Sequence, residues 1–332
     1  MEKPDAVIFI DANQYLDLYR TVTGKRLLGA INEQQEHIFV TVQVAEEVQR
    51  NKLVVAAIFL AEQFKQLKLR GFDLPDHLFD RTDSRVKKMR GHLQEIHEKI
   101  RTANEGLIEL EHDLLEKISR SDDEVSKALA GIFAGAVSHD EDELKRARAR
   151  KERGNAPGKK GDPLGDQLSW EQILNQCKKK SGLWIISRDK DYVTSYGRKA
   201  FINAALYQEL CRLRPNIEVF CFNNIPDGIQ HFAERLHVKA EELPTPEESE
   251  EIKKEQETLP PLGWLPGYQQ DTWYLRNVGR PGYSGLVNLG GLFVPERPTD
   301  VSAGTAITSA GLAQTTIQRM LIDADEKDRN KK

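Results

Sequence analysis

Cysteine is scarce in this chain of 332 residues: Cys177, Cys211 and Cys221 are the only three. They stand apart, without metal-ligand or redox-motif spacing, and an odd number cannot form a closed disulfide set. The sequence therefore predicts a fold that needs no covalent staples and a reducing, cytoplasmic setting. Long hydrophobic runs are missing too. The first apolar run, Ala6 to Ile10, stops at Asp11, too short for a signal peptide or a membrane span, so the expectation is a soluble protein with no membrane partner. Excess charge of one sign is lacking, since the formal net charge is −4, which argues against coating nucleic acid by bulk electrostatics. No internal repeat occurs, and the eight histidines show no ligand spacing; His92, His97 and His112 read as residues of a charged helix face.

Charge is present, but segregated. Lys145 to Lys160 reads KRARARKERGNAPGKK, whereas Glu241 to Glu257 is strongly acidic. The length allows one large domain, or one domain with an elaboration and a tail.

The pattern along the chain alternates. Ala6 to Ile10 suits a buried parallel strand that delivers Asp11 and Asn13 at its carboxyl end. Helices follow over Tyr15 to Arg20 and Lys25 to Gln35, then a second strand over His37 to Val42, and the chain turns helical from Val44 with Glu46 and Glu47 in the first turn. From about residue 55 to 153 the chain is almost wholly helical. Val86, Met89, Leu93, Ile96 and Ile100 recur at helical spacing there, which predicts a helical insertion, a hairpin or coiled-coil-like arm. Asp166 to Lys180 reads as a helix, Leu183 to Ile186 as a third buried strand, Asn203 to Arg212 as a helix, Ile217 to Phe222 as a strand and Ile225 to Arg235 as a helix. Such alternation implies an α/β fold with a central, mostly parallel sheet in three layers. The reading divides the chain into a domain over 1–240, an acidic linker over 241–258, and a Gly/Pro/aromatic-rich extension over 259–332 that ends in a short helix near Thr315 to Ala324.

In open parallel sheets ligands bind outside the carboxyl ends of the strands. Asp11 closes the first strand, Glu47 follows the second, Asp189 and Asp191 follow the third, and Asp166 heads the helix entering the third. Clustered carboxylates suit hard divalent cations such as Mg²⁺ or Mn²⁺, and ions so held assist hydrolysis of a phosphodiester. Each acid alone also has a plain reading. Asp11 could end a strand, Glu46 and Glu47 could complement a helix dipole, Asp166 could cap a helix, and Asp189 with Asp191 could shape a turn.

The segments IFIDANQYLDLY, VAEEVQRNK, GDQLSWEQIL and LWIISRDKDY, in that order, resemble the four acidic motifs of PIN-domain nucleases, especially larger bacterial PIN-like proteins with a helical insertion between the second and third motifs. The resemblance spans Ala6 to Glu234. It implies that Asp11, Glu47, Asp166 and Asp189 are catalytic metal ligands, that Asp191 assists them, and that Asn13 and Ser187 support them by hydrogen bonding. Glu46 competes with Glu47 for the second motif, and Asp162 with Asp166 for the third.

The basic run leads into Asp166, so Arg148, Lys151, Arg153, Lys159 and Lys160 are expected along a nucleic-acid backbone, with Arg50 and Lys52 extending that surface. A solvated helix face is the competing reading. Trp264, Tyr268, Trp273, Tyr274 and Tyr283 could stack bases, but a small packed tail, a partner-binding arm or partial disorder accounts for them better.

The resemblance implies a metal-dependent endoribonuclease, with toxin or phage-defence roles among its bacterial members. The competing expectations are a flap-type nuclease acting on DNA, a catalytically silent or partner-activated PIN scaffold, and a homo-oligomer or protein complex formed through the arm or the tail. A haloacid-type phosphatase requires a second Asp two residues after the first, where this chain has Asn13.

Overall fold

A computed structural model describes residues 5–71, 83–158, 164–197, 199–260 and 262, together with the backbone of residues 287–289 and 292–294. Lys159, Lys160, Asp162, the aromatic residues of the extension and its expected terminal helix lie outside the described residues.

Four parallel strands form the central sheet in the order β2 (Ile38–Phe39), β1 (Ala6–Ile10), β3 (Gly182–Ile186) and β6 (Glu218–Phe222). Every residue of β1 and β3 is buried, as expected of strands covered on both faces. Their register is continuous from Ala6 opposite Gly182 to Ile10 opposite Ile186, so the residues that follow each strand emerge side by side. The expected second strand, His37 to Val42, shortens to two residues. Thr41 leaves the strand to cap the next helix, its hydroxyl accepting from the Val44 amide.

Helices α1 (Ala12–Asp17) and α2 (Leu28–Glu33) connect β1 to β2, the latter entered through a 3₁₀ turn at Gly24–Leu27. Between β2 and β3 the chain makes a helical excursion through α3 (Val42–Leu67), α4 (Ser84–Ser119), α5 (Glu124–Ala134), α6 (Glu141–Arg153) and α7 (Gly165–Cys177). The excursion closes where it opened: the Val137 amide donates to the Val40 carbonyl at 2.9 Å, and the Val42 amide to the Val137 carbonyl at 3.1 Å. Leu129 and Ile132 of α5 join the main core, whereas α4 buries no residue at all. Helices α6 and α7 are antiparallel, since Glu143 meets Asn175 and Arg150 meets Glu171.

A hairpin of β4 (Val193–Tyr196) and β5 (Lys199–Ile202), absent from the sequence reading, follows β3, and α8 (Ala204–Leu213) leads to β6 and α9 (Ile225–Leu236). Instead of an acidic linker, residues 241–258 contain α10 (Pro246–Thr258). A capping box between Thr245 and Glu248 starts this helix, with Pro246 in its first turn. Ile252 is buried, the Glu255 carboxylate accepts from the Val22 and Thr23 amides, and Glu251 pairs with Arg26. The composition is that of a solvated segment, but three inward positions, Ser249, Ile252 and Gln256, suffice to dock it. In the extension, β7 (Val287–Leu289) pairs antiparallel with β8 (Leu292–Val294).

Candidate metal centre

Asp11 follows the last residue of β1, and its amide continues the sheet by donating to the Ile186 carbonyl at 3.0 Å. Its carboxylate is buried and does not cap α1. Instead Oδ2 accepts from the Ser187 hydroxyl at 2.8 Å and from the Asn13 side-chain amide at 3.1 Å. Ser187 Oγ in turn accepts the Asp189 amide at 2.9 Å, and Asp189 Oδ1 accepts the Asp191 amide at 2.8 Å. One chain of hydrogen bonds thus links the carboxyl ends of the two central strands.

Asp166 enters from α7. The Tyr192 hydroxyl donates to the Asp166 carbonyl at 3.0 Å, and Thr41 and Ser169 share a hydroxyl hydrogen bond of 3.0 Å that ties α7 to the start of α3. Trp170, fully buried one turn on, donates its indole N–H to Glu209. Asp166, Asp189 and Asp191 bring one carboxylate oxygen each within 4.8 Å of one another.

The electrostatics show which groups share this space. Burial, then Asp189, then Glu47 push the Asp11 carboxyl up to about 7, with Ser187 opposing the rise. Burial pushes Asp166 well above the usual carboxylate range, and Asp11, Glu47, Asp189 and Asp191 add to it. Glu47 therefore faces the cluster, whereas Glu46, itself pushed up by burial, sits beside Arg50, 3.7 Å away. One residue along a helix turns a side chain by about 100°, which separates these adjacent acids. Burial, then Asp166, Asp11, Asp189 and Glu47, also push the Tyr192 phenol up and keep it protonated.

The donor set fits a divalent cation. All its atoms are carboxylate oxygens, which hard ions such as Mg²⁺ prefer, and the raised carboxyls mark a site whose groups crowd one another's negative charge.

The expected nucleic-acid surface divides. Arg148 and Arg153 are exposed and Lys151 is half-buried on α6, whose carboxyl end lies at the same end of the helix pair as Asp166. Arg146 and Arg150 of the same basic run serve structure: both bind Glu171, and Arg150 also bridges to Glu209 and the Ala156 carbonyl. Arg50 is partly exposed. Lys52 corrects the sequence expectation. It is buried, and its ammonium donates to Ser121 at 2.6 Å and Ser126 at 2.9 Å, because it shares the inward face of α3 with Val48 and Val55. Lys52 therefore clamps the base of the arm instead of reaching a ligand.

Two polar groups beside the site escaped the sequence reading. Buried Gln14 donates to the Asn223 carbonyl at the end of β6, and Arg188, between two motif residues, donates to buried Asp17 and to the Gln256 carbonyl of α10. Both lie inside the acidic motif segments, but their partners are distant in sequence, so their contacts give no local signal.

Among the described residues, no helix is long and apolar enough to cross a membrane. Comparison with curated proteins and with solved structures finds no match. A family model described as a PIN-like domain matches residues 7–192, from β1 through the last acid of the cluster. With its central parallel sheet and the carboxylates gathered at the sheet's carboxyl edge, the chain belongs to the PIN-like domain family, whose typical members are metal-dependent nucleases acting on nucleic acid.

Proposed function

We propose that this protein is a metal-dependent endoribonuclease in which Asp11, Glu47, Asp166, Asp189 and Asp191 hold Mg²⁺ or Mn²⁺. The observation that carries the reading is that Asp166, Asp189 and Asp191 of a PIN-like domain bring carboxylate oxygens within 4.8 Å of one another, with Asp11 hydrogen-bonded to Ser187 beside them and Glu47 close enough to raise the Asp11 carboxyl. Ions held there acidify the attacking water and offset charge on the leaving oxygen of a phosphodiester. The chain's own groups do the rest. Ser187 and Asn13 fix the orientation of Asp11, and the amides of Asp189 and Asp191 lock the loop after β3. Arg148, Lys151 and Arg153, with Lys159 and Lys160 beyond them, guide the phosphate backbone toward the acids. The family resemblance supports a role as a toxin or phage-defence effector in the cytoplasm.

The test is cleavage of labelled RNA and matched single-stranded DNA by the full chain with Mg²⁺ or Mn²⁺, beside Asp11→Asn and Asp189→Asn. The reading expects RNA cleavage that needs metal and is lost in both variants. Cleavage of DNA alone reassigns the substrate, and inactivity of the intact protein on both points to a scaffold or a partner-activated enzyme.

A further inference from the structure

Helix α4 has 36 residues and none is fully buried, so packing on its own chain covers only part of its apolar surface. Nine of its apolar residues nevertheless fall at heptad spacing, with Ile108, Leu115 and Ile118 outside the two sets and Lys117 ending the second. Val86, Leu93, Ile100, Leu107 and Leu114 occupy one position, and Met89, Ile96, Ala103 and Leu110 a second, three residues on. Helix α3 runs back along only part of α4, as Lys52 lies opposite Ser121 and the Leu69 backbone opposite Asn104. The first set is half-buried over all five positions, but in the second Met89 is 52%, Ile96 43% and Leu110 49% exposed. Among the described residues, an apolar seam with heptad spacing is thus left open along the arm.

The charges on α4 indicate what closes it. Residues 84–101 carry six basic side chains against two acidic, and residues 102–119 five acidic against one basic, so the halves are +4 and −4. This polarity opposes the helix dipole, which favours acids at the amino end and bases at the carboxyl end. It weakens the isolated helix and matches perfectly a second α4 laid against it in the opposite direction.

We propose that α4 is a self-association surface on which a second copy of this chain docks antiparallel, related by a two-fold axis midway between Met89 and Leu110. With that axis, Met89 of one copy packs on Leu110 of the other and Ile96 on Ala103. Arg85 and Lys88, which flank the open seam, meet Asp113 and Glu109 of the opposite helix. A parallel pair sets basic half against basic half. The antiparallel pair puts the two PIN-like bodies at opposite ends of the joined arms, because each α4 is about 54 Å long.

The experiment is sedimentation velocity and light scattering on the full chain across a micromolar concentration range, with circular dichroism to verify that each variant keeps its helix content. The wild type is expected at twice 37.7 kDa, weakening as salt rises. Ile96→Glu, an exposed position, is expected to give monomer. Arg85→Glu with Lys88→Glu, and separately Glu109→Lys with Asp113→Lys, should each weaken association by at least about tenfold. All four changes together should restore it, because the opposed charges are exchanged. A wild type that stays monomeric throughout the range overturns the proposal. So does a dimer indifferent to Ile96→Glu, or one whose charge reversals do not rescue each other.

Discussion

The Ser187 hydroxyl donates to Asp11 Oδ2 at 2.8 Å while accepting the amide of Asp189 at 2.9 Å, so one oxygen holds together two acids from opposite ends of the chain's first 190 residues. Ser187→Ala removes both bonds without adding bulk. Divalent-ion affinity, measured by titration calorimetry with Mn²⁺, is expected to fall about 10- to 100-fold, the usual effect of losing a group that orients a ligand. Unchanged affinity shows that Asp11 is positioned by Asn13 and its own backbone alone.

Asp17 lies fully buried between two guanidinium groups, Arg20 and Arg188, and the same Arg188 reaches the Gln256 carbonyl of α10. Asp17→Ala leaves those cations without their counter-charge. Denaturant unfolding should report a loss of roughly 3–5 kcal/mol, as when one partner of a buried ion pair is removed. A loss below about 1 kcal/mol assigns the pair to the weak class of exposed bridges.

The acid cluster makes the metal-free protein sensitive to pH. Asp11 keeps its proton up to about 7 when folded, against 3.8 ordinarily, and Asp166 shifts in the same direction. Between those values the folded chain binds the extra proton, so stability is greatest at the acidic end, falls as pH rises through the window and levels off above it. The melting temperature without metal is expected to be lower at about pH 8 than at about pH 5, less so in Asp11→Asn, with Mg²⁺ or Mn²⁺ restoring more at the higher pH. A metal-free melting temperature that rises across that interval contradicts the arrangement.

Arg148 and Arg153 are exposed, whereas Lys52 is enclosed by Ser121 and Ser126. Removing either arginine should weaken RNA binding by Asp11→Asn protein and reduce the slope of log affinity against log salt by about 0.7 to 1. Lys52→Met should leave that slope alone. If Lys52→Met flattens the slope instead, the lysine reaches the ligand after all.

How much was legible depended on whether the signal was local. β1 and β3 were readable because five buried apolar residues followed by a polar one can hardly be anything else in an alternating chain. Asp11, Asp166 and Asp189 were readable from their positions at element ends. Glu46 and Glu47 were not separable, since both occupy the first turns of α3 and only the helix rotation decides which faces Asp11. Lys52 was misread because its charge suggests solvent, while its place one turn from Val48 puts it inside. The β4–β5 hairpin gave no signal, for only Val193 of its first strand is buried. Helix α10 was hidden by its glutamates, and its seat depends on Val22, Thr23 and Arg26, more than 200 positions away.

The hydrogen bonds of Val137 with Val40 and Val42 give the arm coincident points of departure and return. The register of β1 on β3 therefore does not depend on how many residues lie between them, and lengthening such a closed loop costs only about 0.6 kcal/mol per doubling. Beyond the Lys52 and Ser121 contact the arm extends from a base anchored at both ends. Removing or adding distal turns would therefore leave the body of the domain, with Glu47 at the arm's anchored root, in place.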